Sequence, residues 1–364
     1  MRLSFNIKKI LREFHFISIC YNCYYYGIIG KGVDIMNRLR NVRKRWWIVA
    51  IVSLVLLMID VALLKGIAYY YPDVWEKEKK AMGFEVKASD TQLAIKEALK
   101  GIELHSKNAI LIDMSDQQTL FEKNGDERIY PASLTKVLTA IVALDLKQDL
   151  QEVGTVSDQD LLGLAAANAS VAGFKPGDTI TYEQALYALL LPSGADAANF
   201  LGNHMSGSVE NFVNSMNKKA KSLGMLNTHF NNPTGLHEDN HYTTLNDMKK
   251  MMVLGWKNPV FQEIITTFDY TIPPIMSHPE GMRVKSTLVS YGGSLQFNGG
   301  EIIGGKSGYT LEAQCCLISI AKMSDGHLYM FISTNAGGQP STDRNHLKDA
   351  HKVYEMIHQV TTTK

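Results

Sequence analysis

The sequence predicts an α+β domain in which an antiparallel sheet is flanked by helices and carries a helical insertion. Strand patterns occur both near residues 109–123 and near residues 302–333, and residues 180–256 between them are mainly helical in pattern. The composition of the 364 residues, 45% hydrophobic and 20% charged, is that of an ordinary globular protein. It excludes collagen-like, disordered and disulfide-scaffold proteins.

The first predicted elements are the two strands of a hairpin, near residues 109–113 and 119–123, joined by a polar turn. A core helix should follow Pro131, because apolar residues recur there at helical spacing. After the helical insertion, strands are predicted near residues 302–306, 316–321 and 328–333. A helix from about residue 343 to residue 359 ends the chain.

The charge is divided unevenly between the N-terminal region and the remainder. Residues 1–45 contain ten Lys or Arg and two Asp or Glu, which argues that the remainder is acidic and does not bind nucleic acid. Residues 46–64 form an apolar run with a single charge, Asp60, and are predicted to be a transmembrane helix. The basic flank should stay in the cytoplasm, so the body of the protein should lie outside the membrane.

Three further expectations concern the N-terminal region. A cleaved signal peptide is the alternative to an uncleaved anchor, but the bulky residues Tyr69 to Tyr71 stand where small residues should precede cleavage. Residues 1–35 are expected to be an untranslated leader, with the true start at Met36. Residues 65–104 should form a spacer and the first helix.

The cysteines predict neither a metal site nor a disulfide. Cys20 and Cys23 form a single C-x-x-C pair without further ligands. Cys315 and Cys316 are adjacent in a strand pattern, where neighbouring side chains point to opposite faces. We therefore expect the second pair to be packing residues.

A serine and a lysine that could act together in catalysis lie at the start of the predicted core helix. Ser133 and Lys136 have the spacing S-x-x-K, which places a hydroxyl and an amine one helical turn apart on the same face. The helix is apolar, and burial favours the neutral amine that a general base requires. The alternative is that Ser133 only caps the helix.

Two other S-x-x-K pairs are less suited to catalysis. Ser319 and Lys322 lie in a strand pattern, where an odd offset directs their side chains to opposite faces. Ser215 and Lys218 lie on a helix rich in Asn and Lys, which indicates a solvated face.

His237 and His241 complete an H-E-x-x-H pattern. Zinc binding through this pattern requires both histidines on one face of a helix. The segment follows Pro233 and Gly235 and lacks apolar periodicity, so it should be a loop. No metal is expected.

The Ser133 motif is joined by three others in a fixed order. Ser193 lies 60 residues after Ser133, and Lys306 lies 173 residues after it. The four motifs are Tyr130-Pro-Ala-Ser-Leu-Thr-Lys136, Leu191-Pro-Ser-Gly-Ala-Asp196, Asn232-Pro-Thr-Gly-Leu236 with His241-Tyr-Thr-Thr244, and Gly305-Lys-Ser-Gly-Tyr-Thr310. Together they resemble the D-alanyl-D-alanine carboxypeptidase family of low-molecular-weight penicillin-binding proteins.

The resemblance implies a β-lactamase/transpeptidase-like fold for residues 105–364 and a serine peptidase acting on peptidoglycan stem peptides that end in D-Ala-D-Ala. Ser133 would be the nucleophile, Lys136 its base and Ser193 a proton relay. Such an enzyme needs no cofactor, is acylated by β-lactam antibiotics and works at the membrane of a bacterial cell, here a Gram-positive one. Alone, Ser193 with Asp196 also fits a helix capping box.

The fourth motif, Gly305–Thr310, is implied to bind substrate. Lys306 and Ser307 would hold the terminal carboxylate, with Gly308 and Tyr309 completing the binding strand. By the same resemblance, the backbone N–H groups of Ser133 and Tyr309 would stabilise the oxyanion. Without the resemblance, residues 305–308 would read as a strand entering a turn.

One position departs from the family pattern, and two alternative functions stay open. The second motif normally ends in Asn, but Ala195 stands there, and Asn199 one turn later is a weak substitute. A serine β-lactamase is one alternative, although Tyr242 occupies the place of the Glu that activates its deacylating water. A membrane-tethered wall-binding or regulatory protein with a decayed site is the other, motivated by Ala195.

Overall fold

The computed structural model of the chain describes residues 88–147, 149–290, 292 and 294–362. The predicted cytoplasmic segment 1–45, with the leader 1–35, the transmembrane segment 46–64 and the spacer up to residue 87 lie outside the described residues. Within the described part, no helix combines the length and the apolar character needed to cross a membrane.

The described domain is built on one antiparallel sheet of six strands. The described domain has ten strands in all, of which six form this sheet. They are β1 (Asn108–Asp113), β2 (Thr119–Lys123), β3 (Val153–Thr155), β4 (Thr179–Thr181), β5 (Asp269–Ile272), β6 (Met282–Lys285), β7 (Gln296–Phe297), β8 (Gly300–Thr310), β9 (Gln314–Met323) and β10 (Leu328–Thr334). The main sheet has the order β2-β1-β10-β9-β8-β7, and the pairs β3–β4 and β5–β6 form two small sheets.

Helices cover both faces of the main sheet. They are α1 (Asp90–Ala98), α2 (Thr135–Leu146), α3 (Asp158–Leu161), α4 (Tyr182–Leu190), α5 (Ala195–Ser206), α6 (Val209–Ser222), α7 (Leu245–Gly255), α8 (Pro259–Ile265), α9 (Thr287–Ser290) and α10 (Asn345–Thr362). The helices α2 to α8 belong to the insertion between β2 and the later strands of the main sheet.

The side chains of the central strands alternate between two hydrophobic cores. Ile110 and Ile332 face the core shared with the insertion, whereas Leu111 and Phe331 face a second core formed with α1 and α10. All six residues of β1 are buried, as expected for a strand covered on both faces. The sheet is therefore the middle layer of three.

The predicted α+β architecture is confirmed. The first hairpin has the predicted strands, and the strand predicted near residues 302–306 is the centre of β8, which continues to Thr310. Cys315 and Cys316 are free and buried, as predicted. Ser319 is buried and Lys322 is exposed, which confirms that this S-x-x-K pair cannot act together.

Candidate active site

Ser133 lies in a single 3₁₀ turn, Ala132–Leu134, directly before α2. Neither this turn nor α2 has a side-chain cap, so the alternative that Ser133 caps the helix is wrong. Its half-exposed hydroxyl instead accepts a hydrogen bond from Nζ of Lys136 at 3.0 Å. The hydroxyl and the amine thus meet as the spacing predicts.

The peptide group between Ala132 and Ser133 is enclosed by two glycines. A Cβ atom on Gly235 would lie 1.9 Å from the carbonyl oxygen of Ala132, and one on Gly308 would lie 2.9 Å from the nitrogen of Ser133. Ala132 itself has a φ of +46°, a conformation that is strained for a residue with a side chain. The fourth motif and the loop motif thereby fix the backbone that carries the hydroxyl.

The Lys136 amine is buried at the centre of the site. The residue is 2% exposed, and its Nζ donates to the carbonyl oxygen of Thr234 at 2.5 Å as well as to Ser133. Burial lowers the pKa of Lys136 to about 7, and the negative charge of Asp196 opposes that shift. A lysine with this pKa exchanges a proton readily near neutral pH.

Helix α2 holds the loop that provides the Thr234 carbonyl. The Thr139 hydroxyl donates to the carbonyl of Pro233 at 2.7 Å, and Nε2 of His241 lies 2.8 Å from Oγ1 of Thr135. Since Nδ1 of His241 accepts from the N–H of Asn231, the proton is on Nε2 and the ring is neutral. Burial lowers the pKa of His241 to about 3, which agrees with a neutral ring.

The H-E-x-x-H segment lies in a loop, as predicted, so His237 and His241 do not share a helix face. Nδ1 of His237 is 4.0 Å from Glu312 of the β8–β9 turn, and its ring packs edge-on against Tyr130. No group of three or more His, Cys, Asp or Glu residues in the described ranges is placed to bind a metal.

Ser193 lies in the turn between α4 and α5. It is 3% exposed, has a φ of +68°, and its hydroxyl has no hydrogen-bond partner in the described part of the chain. Gly194, not Ser193, is the N-cap of α5, so the capping-box interpretation is wrong. A strained, buried and unpartnered hydroxyl is a feature of functional sites rather than of helix caps.

Lys306 projects from β8 into the same buried region as Lys136. It is 1% exposed, and its Nζ donates to the carbonyl of Ser307 at 2.7 Å. Burial, together with repulsion from the Lys136 ammonium, holds the pKa of Lys306 well below its ordinary range. An anionic ligand would restore the charged form of this amine.

The half-exposed Ser307 contacts a residue that the sequence did not single out. Its hydroxyl donates to Oγ1 of Thr287 at 2.7 Å, and the N–H of Thr287 donates to the carbonyl of Leu191 at 2.9 Å. Thr287 thus links the fourth motif to the turn that carries Ser193. At the far end of β8, the Tyr309 hydroxyl accepts from Gln339 at 2.9 Å.

The position of the missing asparagine is apolar. Ala195 is 1% exposed, and its backbone N–H donates to the carbonyl of Ser170 at 2.8 Å. Asn199 cannot take over the amide's role from its present position, because its side chain donates to the carbonyl of Asp160. The pair Ser215 and Lys218 lies on α6, where the Ser215 hydroxyl bonds the Asn211 carbonyl.

The structure therefore joins the residues of all four motifs. Direct contacts link Ser133 to Lys136, and Gly308 packs on the Ser133 backbone. Ser193 is linked to this group through the Leu191, Thr287 and Ser307 contacts.

Comparison with known proteins matches the region that carries these motifs to one family. The family profile described as Peptidase S11, D-alanyl-D-alanine carboxypeptidase, matches residues 92–333. This range contains the four motifs and spans more than half of the chain.

Curated relatives carry similar descriptions. The D-alanyl-D-alanine carboxypeptidase DacF of Bacillus subtilis is 36% identical over 221 residues, which cover 60% of this chain and 54% of DacF. This chain thus matches about half the length of that relative. The D-alanyl-D-alanine carboxypeptidase of Streptomyces sp. strain K15 is 33% identical over 216 residues, covering 56% of this chain and 72% of the relative.

Solved structures agree with the fold. The DD-transpeptidase of Streptomyces K15 matches with a TM-score of 0.62 at 28% identity, covering 70% of this chain and 98% of that one. The D-alanyl-D-alanine carboxypeptidase from Mycobacterium tuberculosis matches with a TM-score of 0.60 at 29% identity, covering 70% and 91%.

The buried amine of Lys306 should lower the stability of the fold. Replacing it with the apolar Lys306→Met should raise the free energy of unfolding at pH 8 by about 1–2 kcal/mol. The gain should shrink as the pH rises towards ~10.4, above which the wild-type amine is neutral in both the folded and the unfolded chain. Denaturant titrations at pH 8 and pH 11 measure this, with the exposed Lys322→Met as control. No gain at pH 8, or an equal gain at both pH values, would contradict the interpretation.

Proposed function

The chain belongs to the D-alanyl-D-alanine carboxypeptidase family, and from this premise we propose that it removes the terminal D-alanine from peptidoglycan stem peptides. The observation that carries the proposal is the 3.0 Å contact between the Lys136 amine and the Ser133 hydroxyl. Because burial brings the pKa of Lys136 to about 7, the neutral amine is available as a base near neutral pH.

Acylation begins when Ser133 Oγ attacks the penultimate carbonyl carbon and its proton passes to Lys136. The backbone N–H groups of Ser133 and Tyr309 stabilise the negative oxygen of the tetrahedral intermediate. The peptide C–N bond then breaks, and Ser193 relays the proton held by Lys136 to the departing amine of D-alanine. Water then hydrolyses the Ser133 ester, which releases the shortened peptide and restores the Ser133 hydroxyl. The Ser193 hydroxyl has no hydrogen-bond partner within the described ranges, so no existing contact has to break before it transfers the proton.

The substrate carboxylate is recognised at β8. The buried Lys306 amine has no acidic hydrogen-bond partner among the described residues, so a bound carboxylate would restore and compensate its positive charge. The Ser307 hydroxyl donates a second hydrogen bond when its proton turns from Thr287 Oγ1 to the carboxylate, and the Thr287 hydroxyl then donates to Ser307 across their 2.7 Å contact. This pairing selects peptides that end in a free carboxylate.

Penicillins should acylate Ser133, and the resulting acyl-enzyme should be hydrolysed slowly. A β-lactamase of this fold uses a Glu to activate the deacylating water, whereas this chain has Tyr242, whose ring packs against the Arg128 guanidinium at 3.6 Å. That position therefore supplies no carboxylate. The β-lactamase alternative is disfavoured, and persistent acylation is expected.

The remaining alternative is a wall-binding or regulatory protein whose catalytic site has decayed. Ala195 motivates it, but the base, nucleophile and carboxylate-binding groups are all retained. We favour a slower enzyme over an inactive one, because a lost polar contact costs about 1–3 kcal/mol.

We also propose that residues 46–64 anchor the protein in the cell membrane of a bacterium, with the domain outside. The proposal rests on the apolar run and its basic flank. An anchored domain would lie within reach of the peptidoglycan that surrounds the cell.

The nucleophile is tested with the purified full chain and a diacetylated tripeptide ending in D-Ala-D-Ala. Wild type should release free D-alanine, and Ser133→Ala should reduce the rate at least ~10³-fold because the covalent route is lost. Ser215→Ala, the same substitution in the S-x-x-K pair on α6, is the matched control and should retain the rate. No release at any enzyme concentration would favour the wall-binding alternative.

Restoring the family's amide should speed the reaction. Ala195→Asn is expected to raise kcat/KM about 5- to 150-fold, the equivalent of the 1–3 kcal/mol that a polar contact provides. Ala195→Leu, similar in size to Asn but apolar, should not raise it. An Asn variant no faster than the Leu variant would show that this site does not use an amide.

The anchor is tested in a bacterium that expresses the full chain. The wild-type protein should resist extraction of membranes with alkaline carbonate, and deletion of residues 46–64 should release it, because the apolar run is removed. Mass determination of the N-terminus should find Met36 first. A mature N-terminus beyond residue 64 would instead identify a cleaved signal peptide.

A further inference from the structure

Asp196 has a buried carboxylate that takes no part in the proposed acylation steps. It lies in the first turn of α5 and is 1% exposed. Its oxygens accept hydrogen bonds from the backbone N–H groups of Ala172, Gly173, Phe174 and Ala197 at 2.8 to 3.2 Å. Backbone amides therefore hold a full negative charge inside the insertion.

These contacts shape the turn that carries Ser193. The N–H of Ala195 donates to Ser170, so the loop of residues 170–174 lies along the turn. A Cβ atom on Gly194 would lie 2.7 Å from Oδ1 of Asp196 and 3.1 Å from the nitrogen of Ala172. The turn thus has little freedom, and Ser193 is held in its left-handed conformation with its hydroxyl unpartnered.

The charge of Asp196 also acts on the Lys136 amine. The titratable groups coupled to Lys136 come from three elements: Asp196 on α5, Lys306 on β8 and His241 in the loop before α7. Asp196 is the only acid among these three. It favours the ammonium form, which burial disfavours.

We propose that Asp196 is a positioning residue, which fixes the Ser193 turn and supplies the counter-charge for the ammonium that forms on Lys136 during acylation. The inference rests on the proposed function. As the bond between Ser133 Oγ and the carbonyl carbon forms, the hydroxyl proton moves to Lys136 Nζ. The Asp196 charge then stabilises the resulting ammonium until the proton leaves with the amine.

The test measures acylation of the full chain by a fluorescent penicillin between pH 5.5 and pH 9. In wild type the rate should fall below pH ~7, because the protonated Lys136 cannot act as a base. Asp196→Asn keeps the shape but removes the charge, so the fall should move to lower pH by about 1 unit. The plateau rate should drop about 10- to 100-fold, because the ammonium loses its counter-charge and the turn loses an acceptor.

Asp178→Asn is the matched control. Asp178 is also fully buried and also holds a loop, through the N–H groups of Lys175 and Ser277 and the Ser277 hydroxyl. Its charge is not among those that act on Lys136. In this variant the acylation rate should decline at the same pH as in wild type, even if the substitution lowers the stability of the fold.

A lower plateau in Asp196→Asn with an unchanged pH dependence would overturn the counter-charge role and leave only a structural one. If Asp196→Asn does not fold, Asp196→Ser removes the charge while keeping an oxygen acceptor, and the same shift is required of it. Asp196→Glu, which retains the charge, should keep the wild-type pH dependence. A wild-type chain that the penicillin does not label would overturn the proposed function itself.

Discussion

Burial of the Lys136 amine is the constraint on which the rest of the site depends. Without water around it, the amine loses much of its proton affinity, and its hydrogens must be satisfied by the protein. The Thr234 carbonyl and the Ser133 hydroxyl meet that need. The loop that carries Thr234 must therefore be held on α2, which the contacts of Thr135 and Thr139 achieve.

The stability of the three-layer fold offsets the destabilisation that such a site causes. Two cores, one on each face of the sheet, hold β8 and the insertion in place while the site itself contains features that destabilise a protein. These features are two buried amines, left-handed conformations at Ala132 and Ser193, and the buried Ser193 hydroxyl, which has no hydrogen-bond partner among the described residues. Strain and unmet polar groups gathered at one place are typical of a catalytic centre.

Local patterns predict much of the fold, whereas long-range packing decides the details of the site. Alternation within strands and the S-x-x-K spacing are local, so the hairpin, β8 to β10 and the Ser133–Lys136 contact were accessible from the sequence. The enclosure of the Ala132–Ser133 peptide by Gly235 and Gly308 joins segments about 100 and 170 residues away. Ser193 matched a helix cap locally, and only the packing of residues 170–174 shows that Gly194 takes that position.

The central claim is that Ser133, Lys136, Ser193 and Lys306 surround one reacting carbonyl. A crystal structure of the full chain after reaction with a penicillin tests it most directly. The account predicts an ester between Ser133 Oγ and the opened β-lactam, with the amine of Lys136 and the hydroxyl of Ser193 beside it and the drug's carboxylate at Lys306 and Ser307. Attachment to another side chain, or a drug carboxylate turned away from β8, would contradict the account.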